Sequence, residues 1–279
     1  MIEGLQYRQA GGVRLCLRDS GVGPTVLFLH GTTATLGVWD SVIEMVGDGV
    51  RSVAIDQRGH GRSDTPAAGY DAAEYCADAR SLVTSLAGAP VVVVGHSLGA
   101  RNAVVLGAMC PEAVAGVIAV DYTPFVEDSV LDALDRRVRG GDRAFDSQAE
   151  ITSYLRQRYP LMPPDAVARR VKYGYHRVGE AFRALADPGA MTCTVEGLRR
   201  DFADDVRRIS IPVTFMRGAM SEIVSAEAFA ATRELRPDLR AVELAGVDHY
   251  VPEEAPGAVA AEIVRMLHKI AEAGARDGL

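Results

Sequence analysis

Gly95-His96-Ser97-Leu98-Gly99 sets a serine between two glycines, after the apolar run Val91 to Val94 and before a helix-like stretch that Pro111 stops. A Gly-x-Ser-x-Gly segment in that context predicts a sharp strand-to-helix turn with Ser97 exposed at its tip. Glycines are needed there because backbone, neighbouring strand and helix crowd together. The hydroxyl then sits beside the positive end of a helix. Such a serine attacks a carbonyl only if a base takes its proton and donors stabilise the oxyanion. His249, in Gly246-Val247-Asp248-His249-Tyr250 between the last strand-like run and the last helix, is the expected base. His30 reads as a residue that shapes its loop, His60 lies in a glycine-rich turn, and His176 and His268 fall on helix-like stretches. His96 is expected to point away from the nucleophile. In His30-Gly31-Thr32-Thr33 the backbone NH of Thr32 can pair with that of Leu98 as an oxyanion hole, each donor contributing about 3 kcal/mol in the transition state.

These groups need a scaffold, and the chain supplies a rhythm for one. Short apolar runs, Val26 to Leu29, Ser52 to Ile55, Val91 to Val94, Val117 to Val120, Val213 to Met216 and Ala241 to Leu244, alternate with helical patterns. That alternation predicts an α/β fold with a mostly parallel twisted sheet flanked by helices. The rhythm breaks between Phe125 and about Arg208, where Arg- and Asp-rich helix-like stretches take over. The expected organisation is therefore a core of residues 1–125 and 209–279 with an inserted helical cap at 126–208. An amphipathic helix from about Ala258 to Glu272 closes the chain.

With 279 residues, 48% hydrophobic and 24% charged, the chain can bury a sizeable core. A net charge of -7 disfavours nucleic acid as a partner, since phosphate contacts need a basic surface. The four cysteines, Cys16, Cys76, Cys110 and Cys193, lack metal-ligand spacing and no export signal opens the chain. No run approaches the roughly 20 apolar residues of a membrane span. A reduced, cytoplasmic protein without a membrane partner is expected.

The His30-Gly31 loop, Asp56-Gln57-Arg58-Gly59-His60-Gly61-Arg62-Ser63-Asp64, the serine turn and the terminal histidine loop together resemble the α/β-hydrolase superfamily over nearly the whole chain. Members commonly carry the triad acid after the seventh strand, in a segment similar to Gly-x-x-Asp-x-Ile-Val. Here that segment is Gly218-Ala219-Met220-Ser221-Glu222-Ile223-Val224, with serine in the acid's place. Glu222 would have to reach back into the site, whereas Asp121 ends the strand next to the serine turn, where some capped hydrolases place the acid. Asp121 is favoured, and Asp248 is disfavoured because adjacent side chains rarely meet.

Within the superfamily, Gly95 to Asn102, Asp121-Tyr122-Thr123-Pro124, Arg158-Tyr159-Pro160, Ser221 with Ile223-Val224-Ser225, and Asp248-His249-Tyr250 resemble the E-2-(acetamidomethylene)succinate hydrolases of bacterial vitamin B6 catabolism. The resemblance implies hydrolysis of an enamide in a small dicarboxylate, with no cofactor and no metal, and a small-molecule carboxylate as partner. It also implies that Arg137, Arg158, Tyr159 and Tyr250 hold the carboxylates, a use for which bidentate arginine is suited. Against this, arginine-rich helices are usually solvated, and Arg136, Arg139, Arg143, Arg156, Arg169 and Arg170 lie nearby. Other readings are an esterase or carbon-carbon bond hydrolase on another small carboxylate, a cofactor-independent dioxygenase or lyase, and a ligand-binding receptor. Oxygen uptake, water-independent cleavage or tight binding without turnover would mark the last three.

Overall fold

A computed structural model describes residues 4–86, 88 and 90–277 of the chain. The chain opens on a hairpin, β1 (Gln6–Ala10) and β2 (Val13–Ser20). β3 (Thr25–Leu29) leads through a short 3-10 turn (Leu36–Trp39) into α1 (Asp40–Val46) and β4 (Arg51–Ile55). Next come α2 (Ala72–Ser85), β5 (Val91–His96), α3 (Leu98–Met109) and β6 (Val114–Val120). Outside the main sheet follow α4 (Asp128–Gly140), α5 (Gln148–Arg158), α6 (Pro164–Gly174), the hairpin β7 (Tyr175–Val178) and β8 (Ala181–Ala184), α7 (Pro188–Glu196) and α8 (Ala203–Arg208). The chain then returns through β9 (Val213–Gly218), α9 (Ala226–Leu235), β10 (Arg240–Leu244), α10 (Val251–Glu254) and α11 (Pro256–Asp277).

The eight-stranded sheet has the order β1-β2-β4-β3-β5-β6-β9-β10. β2 pairs antiparallel with β1 and β4, and every later pairing in this sheet is parallel. All six residues of β5 are buried, as expected of a central strand covered on both faces. Alternation sorts the side chains: Leu27, Leu29, Val91 and Val93 pack with α2 and α3 on one face, and Val26, Phe28, Val92 and Val94 pack with α1 and α11 on the other. Burying each Val or Leu contributes roughly 1.5–3 kcal/mol, so these two layers hold the central strands in register.

That register places the site. From β3 the chain steps to β4 on one side and then to β5 on the other, so connections diverge above the carboxyl ends of β3 and β5. Ligands of open α/β sheets bind in the crevice at such a divergence. The Thr32 loop follows β3, Ser97 follows β5, Asp121 follows β6, and the His249 loop follows β10.

Two local expectations need correction. The stretch between β6 and β9 is not helical throughout, because β7 and β8 form an antiparallel hairpin there, and His176 lies on a strand. The closing helix is longer than expected, 22 residues from Pro256 to Asp277.

Candidate active site

Ser97 has φ 53° and ψ -114°, a conformation a serine adopts only under strain. The flanking glycines permit the turn: a Cβ on Gly95 would lie 2.1 Å from the Gly99 carbonyl, and one on Gly99 would lie 2.1 Å from the Leu29 carbonyl. The Ser97 NH donates to the Val120 carbonyl at 3.0 Å, which ties the turn to β6. Leu98 opens α3, so its NH has no acceptor within the helix. Among the described residues neither it nor the Thr32 NH donates to a backbone carbonyl.

His249 and Ser97 line one cavity, together with Thr32, Arg137, Arg158, Tyr159 and Tyr250. The Nδ1 of His249 lies 2.8 Å from Asp121 Oδ1. With the carboxylate accepting, the proton sits on Nδ1 and the Nε2 lone pair is free to act as a base. Asp121 is fully buried and also accepts from the Ser221 hydroxyl at 2.7 Å and the Gly218 NH at 2.8 Å. Serine at the usual acid position thus donates to the carboxylate that meets the histidine. Glu222 is exposed, and Asp248 binds the backbone NH of His249, not its ring.

The other histidines divide. His30 donates from Nδ1 to the Gly31 carbonyl and accepts from the Gln57 NH at Nε2. Its burial, with His60 nearby, pushes its pKa well down, so it is a neutral part of the loop. His96 departs from expectation. The residue borders the same cavity as Ser97, and its ring lies 4.7 Å from the His249 ring. Its Nε2 donates to the His249 carbonyl at 2.8 Å, and burial followed by the nearby His249 lowers its pKa, which keeps it neutral.

Arg137 and Arg158 stand apart from the surrounding arginines. Arg139, Arg143 and Arg169 pair with Asp135, Glu150 and Asp165, and Arg136 and Arg156 are exposed. Arg158 instead donates to the Tyr154 hydroxyl at 2.8 Å, the Arg137 carbonyl at 2.9 Å and the Tyr159 hydroxyl at 3.2 Å. Arg137 lies over the Tyr159 and Tyr250 rings at 5.1 and 5.7 Å. Among the described residues neither guanidinium has a carboxylate partner. Burial would raise the Tyr159 phenol, but Arg170, Arg158 and Arg137 outweigh it and hold the phenol below its ordinary value.

Arg170 lines the cavity too and was not singled out from the sequence. It pairs through two nitrogens with Glu253, itself 2% exposed, and lies over Tyr159 and Tyr250 at 4.7 and 5.0 Å. Its spacing from Ala166, Val167 and Tyr173, the buried face of α6, was the available signal. Among the described residues no cluster of three or more His, Cys, Asp or Glu is placed to hold a metal. No helix there is long and apolar enough to cross a membrane.

Known proteins carry the same framework. The 2-(acetamidomethylene)succinate hydrolase of Mesorhizobium japonicum is 43% identical over 246 residues, 88% of each chain. A crystal structure of E-2-(acetamidomethylene)succinate hydrolase superposes with a TM-score of 0.91 at 40% identity, covering 95% of this chain and 99% of that one. An esterase of Mycobacterium tuberculosis is 30% identical, over 92% of this chain and 86% of its own. Residues 26–262 match the model of the Alpha/beta hydrolase family, and with a strained serine turn at the divergence of a mostly parallel sheet, the chain belongs to that family.

Proposed function

We propose that the protein hydrolyses the amide bond of a small N-acyl enamine dicarboxylate such as E-2-(acetamidomethylene)succinate. The observation that carries this reading is the pair Arg137 and Arg158, two cations without carboxylate partners among the described residues, in the cavity of Ser97 and His249. Partly buried cations of this kind call for anionic partners, and a dicarboxylate brings two. Tyr159 and Tyr250, beside them, complete the carboxylate site. Residues 126–208 act as the cap that brings Arg137, Arg158 and Tyr159 over the nucleophile, beside Tyr250 of the His249 loop.

In this mechanism His249 takes the Ser97 proton as the oxygen attacks the acyl carbon, and the Thr32 and Leu98 NH groups bind the oxyanion. Asp121 fixes the imidazole in its Nδ1-protonated form and stabilises the imidazolium. Collapse breaks the carbon-nitrogen bond as His249 protonates the leaving nitrogen. Water, deprotonated by the same histidine, then attacks the acyl-enzyme and releases the acid. Conjugation of the nitrogen to an alkene bearing a carboxylate weakens the amide.

The test compares kcat/KM for E-2-(acetamidomethylene)succinate, p-nitrophenyl acetate and a diketone acid. A preference for the enamide of at least a thousandfold is expected. Equal or greater activity on either of the others overturns the reading.

A further inference from the structure

Ser97 borders a second cavity besides the cationic one. It lies on the Asp121 side and is walled by Val130, Leu131, Leu134, Leu198, Phe202 and Ile223, with a free volume of about 20 Å³. One water needs roughly 10–15 Å³, so this space takes about one methyl-sized group. Leu134 and Ile223 line both cavities and form the ridge between them at the nucleophile.

Helix α4 supplies both sides from one face. Val130, Leu131 and Leu134, at helical spacing, line the apolar cavity, and Arg137 and Val138, one turn on, line the cationic one. An acyl carbon on Ser97 has three substituents to place. Its oxygen goes to the Thr32 and Leu98 NH groups, and the leaving half follows its carboxylates toward Arg137 and Arg158. What remains is the acyl chain, and the apolar cavity is the space left for it.

We infer that this cavity is the acyl subsite and that its walls, Leu198 and Val130 among them, restrict the enzyme to acetyl-sized acyl groups. The inference rests on the proposed dicarboxylate enamide reading for the direction in which the substrate lies. Leu198 and Val130 are partly buried and, of the two cavities at Ser97, line only the apolar one. Truncating them opens the acyl side alone.

The experiment is a ladder of N-formyl, N-acetyl, N-propanoyl and N-butanoyl (amidomethylene)succinates with the wild type, Leu198→Ala and Val130→Ala. An open apolar groove would raise kcat/KM about fourfold for each methylene buried. A closed one gives the opposite slope: at least a tenfold fall from acetyl to butanoyl in the wild type. In either variant the butanoyl-to-acetyl ratio of kcat/KM rises at least tenfold. A flat or rising wild-type ladder, or folded variants that slow both substrates equally, overturns the inference. If no enamide dicarboxylate is turned over, the functional reading fails, and p-nitrophenyl acetate, propanoate and butanoate test the subsite independently. On those esters a falling ladder that Leu198→Ala reverses supports it, and a flat one overturns it.

Discussion

Asp121 follows β6 at φ 45° with three donors converging on its carboxylate, from Gly218, Ser221 and His249. In the proposed mechanism this carboxylate sets the tautomer of the base, so Asp121→Asn should lower kcat by about 10⁴-fold with native circular dichroism. A variant that keeps a tenth of wild-type turnover would remove Asp121 from the mechanism. Ser221→Asp alone should also lower kcat, because a second buried carboxylate beside Asp121 favours protonation of one of them. Combined with Asp121→Asn, it restores a carboxylate near the ring and should recover at least tenfold over Asp121→Asn alone. Ser97, His249 and Asp121 could be picked out of the sequence because each directly follows a strand-like run or its loop. The placement of His96 could not, since nothing in its neighbours reveals that the His249 loop folds back over its ring.

Helices α6 and α10 meet through Arg170 and Glu253, and α10 directly follows the loop of His249. This buried pair links the segment between β6 and β9 to the proposed base. Removing one partner of a buried pair leaves the other uncompensated, at a cost of about 3–5 kcal/mol. Arg170→Met should therefore lower Tm by roughly 10 °C, and adding Glu253→Gln should recover part of it; differential scanning calorimetry checks both. Arg158→Ala acts on α5 differently. Its guanidinium has no acid to strand, so KM for a dicarboxylate should rise at least tenfold more than KM for a neutral ester. Equal rises would argue against carboxylate binding. The parallel strands were legible because they are continuous apolar runs. The two hairpins were not, because β1, β7 and β8 are only four or five residues long and mostly exposed or half-buried. Their turns carried the signal: Gly11 and Gly12 at φ 59° and 86°, and Gly179 at φ 61°, are residues that tight hairpins favour.

Across the whole molecule, the loops above the sheet carry buried titratable groups with opposing pH responses. Burial lowers His60 from 6.5 to about 4, and lowers His30 and His96 well below 6.5. The unfolded chain therefore binds more protons than the folded one below pH 6.5. The stability His60 contributes is whole above pH 6.5 and is lost as pH falls toward 4, a loss of roughly 3 kcal/mol. Asp56 runs the other way. It accepts from the Leu36 and Arg62 NH groups, but burial outweighs them and raises it from 3.8 to about 6. Its contribution is whole below pH 3.8 and is lost as pH rises through about 6. Asp78, Glu74 and Glu254 are raised as well and act with Asp56, but the three buried histidines, His30 and His96 lowered furthest, give the net slope, with stability rising between pH 4.5 and 6.5. Urea unfolding at half-unit pH steps measures that slope. His60→Gln should flatten it and Asp56→Asn should steepen it, because each removes one of the opposed proton linkages. Parallel curves for all three proteins would show that other groups govern the acid response.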